Sequence, residues 1–249
     1  MILIRARTAA TTIEHNGFQA VYGLPVVIRR ENMKLYMTDV NLFDDRFFET
    51  GGYIPEEKKK DLDLFRNPLS KKEHILAWSL LSYVYEIETG KSRDGIRLVY
   101  SEKGKPYLKS APFFFNLSHS GGKVICAVSK NEVGADVQLI KAAKPSVIKR
   151  VLCENEQKVL ELSSDGASVG FMRFWTQKES YLKLTGEGIS AGLSGLDFSS
   201  AVGQDRFRLF SKEFLTFSQD GFMVSVCFSG GHTEHFRLTQ ADFPDVKKV

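Results

Sequence analysis

The chain of 249 residues is short of cysteine, with three, and of proline, with seven; it has two tryptophans and no long uninterrupted apolar run. Cys126, Cys153 and Cys227 lie far apart and without Cys-x-x-Cys spacing. That excludes a zinc knuckle, a redox pair and a disulfide framework, and it points to buried free thiols in a reducing, cytoplasmic setting. The missing apolar run excludes a membrane-spanning helix. A strong excess of either charge is also missing: the net charge is +4, and residues 1–32 supply half of it through Arg5, Arg7, Arg29 and Arg30 against Glu14 and Glu31. No concentrated basic stripe remains to grip a nucleic acid. Lys58-Lys59-Lys60 and Lys71-Lys72 read as solvated helix faces, or as local clusters suited to a small polyanion.

What the chain does have is core-forming material: 43% apolar residues, 12% aromatic, and 19 phenylalanines. Residues 1–32 differ from the rest, being rich in Thr and Ala and poor in acids. They carry no basic start, apolar stretch and small-residue cleavage site of a secretory signal. They are expected to form a poorly ordered extension or to reflect the assumed translation start, with Met33 opening the first domain strand, 33–40.

Beyond that point, helices alternate with groups of strands. A charged helix is expected over 55–65, and Ser70-Lys71-Lys72-Glu73 has the form of a capping box opening a long helix that ends near Gly90. Strands follow at 96–100, 113–117, 124–129 and 133–140, with a turn at Gly104-Lys105-Pro106-Tyr107; the last three strands suggest an antiparallel meander. The second half repeats the theme, with helices at 144–151, 154–162 and 169–185 and strands at 196–198, 207–210, 214–217 and 223–228. The fold class is therefore α+β, as two similar lobes related by a pseudo-twofold axis, 33–133 and 134–249, with a cleft between them.

Four islands carry chemistry. Gly104-Lys105-Pro106 is a tight turn presenting a cation. Asn116-Leu117-Ser118-His119-Ser120-Gly121-Gly122 joins hydroxyls and an imidazole to glycine-exposed backbone N–H groups, which suits phosphate oxygens as well as a polar hairpin end. A Ser-His-Asp triad is excluded, because adjacent Ser118 and His119 point to opposite strand faces and no Gly-x-Ser-x-Gly elbow exists. In Gly134-Ala135-Asp136-Val137-Gln138, an aspartate amid apolar residues needs a cation or donors to satisfy it, and alternation puts Gln138 on its face. Finally, Trp175, Glu179 and Lys183 fall on one helical stripe, closed by Gly186 and Gly188.

Together these islands resemble the 4′-phosphopantetheinyl transferases, in the larger two-lobed type that activates peptide and polyketide synthases. The family pattern is Gly-Lys-Pro, Asn-x-Ser-His-Ser, Gly-x-Asp and Trp-x-x-Lys-Glu-x-x-x-Lys-x-x-Gly. It is met at 104–106, 116–120, 134–136 and 175–186, and the similarity spans about residues 33–230. The resemblance implies that coenzyme A is the co-substrate and an apo carrier protein the acceptor. Mg²⁺ would be held by Asp136, Glu179 and the neutral Gln138. Lys183, Ser118, His119, Lys105 and Pro106 would contact coenzyme A, and Glu179, directly or through an oriented water, would be the base; catalysis would thus fall to Glu179, Lys183 and Asp136. The family's bacterial members usually have Glu where Gln138 stands, and their Arg-rich stretch is replaced by Lys71-Lys72-Glu73-His74, which leaves Lys71 and Lys72 as candidates for the 3′-phosphate. A monomer is expected, since one chain supplies both walls of the cleft. Two other readings are a catalytically silent coenzyme A or carrier-protein binding module, suggested by Gln138, and a Mg²⁺-dependent nucleotide phosphohydrolase.

Overall fold

A computed structural model describes residues 10–15, 18–23, 26–29, 33–162, 166–188, 192–230 and 237–239. The strands are β1 (Ala10–His15), β2 (Phe18–Gly23), β3 (Val26–Arg29), β4 (Met33–Asp39), β5 (Leu98–Tyr100), β6 (Pro106–Leu108), β7 (Phe114–Ser120), β8 (Lys123–Ser129), β9 (Val133–Leu139), β10 (Arg206–Leu209), β11 (Lys212–Gln219), β12 (Phe222–Phe228) and β13 (Arg237–Thr239). The helices are α1 (Asp45–Glu49), α2 (Glu56–Lys59), α3 (Pro68–Thr89), α4 (Pro145–Val151), α5 (Glu154–Glu161) and α6 (Ala167–Thr185). No helix among the described residues is long and apolar enough to cross a membrane.

Two antiparallel sheets, ordered β13-β3-β4-β8-β7 and β10-β11-β12-β9, lie face to face with one long helix outside each. Strand alternation builds these layers. Leu35, Met37, Ile125 and Ala127 of the first sheet meet Ala135, Val137, Val224 and Val226 of the second. On its other face the first sheet turns Tyr36, Phe115, Val124 and Cys126 toward Ile75, Leu76, Leu80 and Leu81 of α3. Phe214, Met223 and Cys227 of the second sheet pack on Phe171, Phe174 and Leu182 of α6. The two halves share one topology. In β4–α3–β7–β8 and in β9–α6–β11–β12, the opening strand pairs with the last strand, which pairs with the one before it.

Several expectations are corrected. Strands β7, β8 and β9 are not a meander: β8 pairs with β4 and β7, while β9 crosses to β12. Its backbone finds other partners on the free side. The Ala135, Val137 and Leu139 N–H groups donate to Asn116 Oδ1 (2.9 Å), Ser118 Oγ (3.3 Å) and Ser120 Oγ (3.3 Å). Side-chain oxygens at every second residue of β7 thus cap the edge of β9, satisfying groups that would otherwise be left bare. The long helix does not open with a capping box at Ser70. Asn67 is its N-cap, accepting from the N–H groups of Leu69 and Ser70, with Pro68 at the first helical position where its missing N–H costs nothing. Residues 196–198 lie between two short 3₁₀ turns, not in a strand. Within the expected N-terminal extension there are three strands, and β3 pairs with the open edge of β4 while β13 pairs with β3. Residues from both ends of the chain therefore extend the first sheet, whatever the boundary drawn at 133.

The contact that sets α6 against the second sheet is made by Gly134. A Cβ there would sit 2.0 Å from the Ser180 carbonyl oxygen and 2.4 Å from the Leu184 nitrogen, so helix backbone rests directly on strand backbone. Any side chain must separate the two elements. Gly134→Ala is expected to lower stability by about 3 kcal/mol, at the upper end of overpacking costs. Urea unfolding checks it; an unchanged midpoint would show that the close approach is absent.

Candidate active site at the junction of the lobes

Because β9 is held against α6 on one side and capped by β7 on the other, Asp136 lies where the three elements meet. It points to the α6 face, two residues beyond Gly134, and is 1% exposed. Ser118 Oγ donates to Asp136 Oδ1 at 2.8 Å, and Lys183 Nζ donates to the same oxygen at 2.6 Å. Lys183 also reaches Ser118 Oγ at 2.9 Å. Asp136 Oδ2 accepts from Gln138 Nε2 at 3.2 Å, and Gln138 Oε1 accepts from Ser120 Oγ at 3.3 Å. Gln138 thus turns its donor to Asp136 and its acceptor to Ser120.

Glu179, one turn before Lys183 on α6, is buried, and its Oε1 has no hydrogen-bond partner. Its carboxyl is held above the ordinary range by burial first and then by the Asp136 charge, with Lys183 opposing. Two carboxylates therefore share one ammonium, and the site carries unbalanced negative charge when both are ionised.

His119, on the other face of β7, places Nδ1 3.1 Å from Glu73 Oε2 on α3. Glu73 is 5% exposed, and its Oε1 accepts from the Gly122 N–H at 2.7 Å in the β7–β8 turn. Burial pushes the imidazole below its usual range, helped by Lys183; Glu73 and Asp136 pull the other way. His74 beside it is pushed down to about 4, chiefly by burial and by Lys58.

The structure brings Ser118, His119, Asp136, Gln138, Glu179 and Lys183 together. It does not bring Lys105 to them. Lys105 is buried, with Nζ donating to Glu132 Oε2 (2.6 Å) and to the Leu184 carbonyl (2.8 Å), so the cation clasps the end of α6 to the start of β9. A lysine at a helix C-terminus faces the negative end of the helix dipole, which suits this fixed role. Pro106 follows it in the β5–β6 hairpin. Lys71 and Lys72 stand in the first turns of α3; Lys72 is bonded to Asp45 at 2.6 Å and lies over the Phe48 ring.

Three residues take roles that the motif pattern does not assign. Glu73 fits a capping side chain as a string, but the structure buries it on the helix face that also carries Ile75 and Leu76. Ser120 is one of the three oxygens that cap β9. Lys178, next to Glu179, is fully buried: its Nζ lies 2.6 Å from Glu156 Oε2 and donates to the carbonyls of Val151, Leu193 and Leu196. Cys153, Glu156 and Asp197 cluster as three metal-type ligands, yet Glu156 is already ion-paired with Lys178 and accepts from the Cys153 N–H and the Phe198 N–H. That cluster is a structural ion pair with a helix cap. Lys178→Met strands a buried carboxylate and is expected to cost about 3–5 kcal/mol; a denaturant midpoint equal to the parent's would contradict it.

Residues 132–239 match the model of the 4′-phosphopantetheinyl transferase superfamily. The 4′-phosphopantetheinyl transferase psf-1 of Bacillus pumilus is 29% identical over 180 residues, which cover 70% of this chain and 76% of that protein. Sfp of Bacillus subtilis (strain 168), also a 4′-phosphopantetheinyl transferase, is 32% identical over 133 residues, 53% of this chain and 57% of Sfp. HetI of Nostoc sp. (strain PCC 7120 / SAG 25.82 / UTEX 2576), of the same name, is 32% identical over 120 residues, 45% of this chain and 49% of HetI. The matched stretch thus spans three quarters of psf-1 but about half of Sfp and HetI. Over these stretches the chain is similar to 4′-phosphopantetheinyl transferases.

Proposed function

We propose that this protein transfers the 4′-phosphopantetheine group of coenzyme A to a serine of an apo carrier protein, releasing adenosine 3′,5′-bisphosphate. The observation that carries the reading is the convergence of Asp136, Glu179 and Lys183 with Ser118 at the junction of two sheets, at the positions of the family motifs. A buried Glu179 oxygen without a partner, facing a second carboxylate, is an all-oxygen donor set that suits a hard divalent cation such as Mg²⁺. Asp136 and Glu179 would hold it, with Gln138 and Ser118 orienting Asp136 from behind. Once bound, the ion would neutralise pyrophosphate charge as the P–O bond breaks.

The side chains themselves divide the remaining work. Lys183, 29% exposed at its side chain, keeps a donor for phosphate oxygens while Asp136 and Ser118 fix its direction. His119 meets phosphate oxygens from the β7 side. Glu179, whose affinity for a proton is raised by burial, accepts the proton of the attacking serine hydroxyl. Lys71 and Lys72 take the 3′-phosphate, and Lys105 acts through α6 without touching the nucleotide. Because one chain supplies both walls, the enzyme works as a monomer; its three free thiols suit the cytoplasm. Carriers of fatty-acid or of secondary-metabolite synthesis fit equally as acceptors.

The test is to incubate the protein with coenzyme A, Mg²⁺ and a panel of apo carrier domains and to weigh each carrier. A gain of the phosphopantetheine mass is expected for at least one; none across the panel would end the assignment, and release of nucleotide or phosphate without an acceptor would favour a phosphohydrolase. Asp136→Ala and Glu179→Gln are expected to abolish the mass gain, and near-parental turnover in either would remove that residue from the site. Glu179 also makes a stability prediction. Its folded form binds a proton more tightly than the unfolded chain does, so ionisation costs stability as pH rises above the ordinary carboxylate range of about 4. Glu179→Gln should therefore raise the melting temperature at pH 7.5, with the difference vanishing near pH 4. A variant less stable than the parent at both values would contradict the raised affinity.

A further inference from the structure

Glu73 lies outside every motif of the family pattern and replaces a position in its Arg-rich stretch, yet it is among the most buried carboxylates of the described residues. Its two oxygens do different things. Oε1 accepts from the Gly122 N–H, a group that can only donate, and Oε2 faces His119 Nδ1 at 3.1 Å. An ionised carboxylate only accepts, so Nδ1 must carry the hydrogen of that contact. The ring is then fixed in direction, because Nε2 lies on the side of the imidazole away from Glu73, and the side chain stays 34% exposed. The charged groups around the ring are Glu73 with His74 from α3, Asp136 from β9 and Lys183 from α6.

We propose that Glu73 is the positioning residue of His119: it holds Nδ1–H and thereby makes Nε2 the single atom of the ring that meets a phosphate oxygen of coenzyme A. This rests on the transferase reading for the identity of the ligand, though not for the Glu73–His119 contact itself. When a phosphate oxygen binds opposite Glu73, the ring, neutral with its hydrogen on Nδ1 in the free protein, takes up a proton at Nε2 against the opposing effect of burial and donates from both nitrogens in charge-assisted bonds. The same carboxylate closes the β7–β8 turn through Gly122, so it could matter for structure alone. The substitution Glu73→Gln separates the two roles. The Gly122 N–H must take the new amide oxygen, which leaves the amide NH₂ opposite Nδ1, and the neutral ring must then accept there and carry its hydrogen on Nε2.

Long-range ¹H–¹⁵N correlation of the imidazole nitrogens is expected to show His119 with Nδ1 protonated in the parent protein and Nε2 protonated in Glu73→Gln. The same tautomer in both would overturn the proposal. Calorimetric titration with coenzyme A in the presence of Mg²⁺ is the second readout. Glu73→Gln should bind about tenfold more weakly, the loss of one charge-assisted bond, and His119→Ala should weaken binding at least as much. In the His119→Ala background, Glu73→Gln should have no further effect. A full additional loss in that double variant would mean that Glu73 acts only through the turn, and the proposal would fall. If the parent protein does not bind coenzyme A, the transferase reading fails instead, while the tautomer spectra still decide whether Glu73 sets His119.

Discussion

The site depends on how closely α6 can lie on β9. At Gly134 the helix backbone touches the strand backbone with no side chain between them. That approach brings residues 179 and 183 of α6 down to the level of Asp136, two residues along the same strand face. The clasp of Lys105 on the Leu184 carbonyl holds the far end of the same helix. On the opposite side, three β7 oxygens at alternate residues satisfy the free N–H groups of β9. One strand therefore belongs to the second sheet by backbone bonds and to the first by side-chain bonds. Since β7 and β9 are the facing edges of the two sheets, the chemistry falls where each half of the chain is incomplete without the other.

The electrostatics of α6 show two uses of burial side by side. Lys178 and Glu156 form an ion pair whose ammonium donates to three carbonyls and whose carboxylate accepts from two backbone N–H groups, the kind of satisfaction that a pair removed from water needs to be tolerated. One residue later, Glu179 is also buried but lacks a partner for one oxygen, and the charges acting on it are another carboxylate and a shared ammonium. The first arrangement holds the helix to the loop around Leu193 and Leu196. The second leaves affinity for a cation or a proton unspent, as functional carboxylates do when their environment opposes ionisation. A helix that is buried on nearly all sides can carry both because its successive residues point about 100° apart.

Much of this was legible in the residues. The long helices, their glycine stops at Gly90 and Gly186, and most strands of both halves follow from period and punctuation, and the four motif islands carry the resemblance to the transferases. The errors share a cause. Strands 7 to 9 read as a meander because hairpin signals are local, whereas the choice of β9 between two sheets is made by which edge its N–H groups can satisfy. Ser70 to Glu73 fits a capping box as a string, but Asn67 and Pro68 start the helix earlier and free Glu73 to serve Gly122 and His119. Lys105 looks like an exposed cation in a turn; folding carries it under the end of α6.

By itself the sequence determined which residues were available and on which face of its own element each would stand. Asn116, Ser118 and Ser120 share one face of a strand, Gly134 and Asp136 another, and Glu179 and Lys183 a helical stripe, because strand and helix periods are local properties of the chain. Only the tertiary structure decided which faces meet. Whether an exposed-looking cation becomes a clasp, or a helical glutamate a histidine's partner, depends on contacts between residues dozens of positions apart. Those contacts are settled by the packing of two sheets and two helices as a whole.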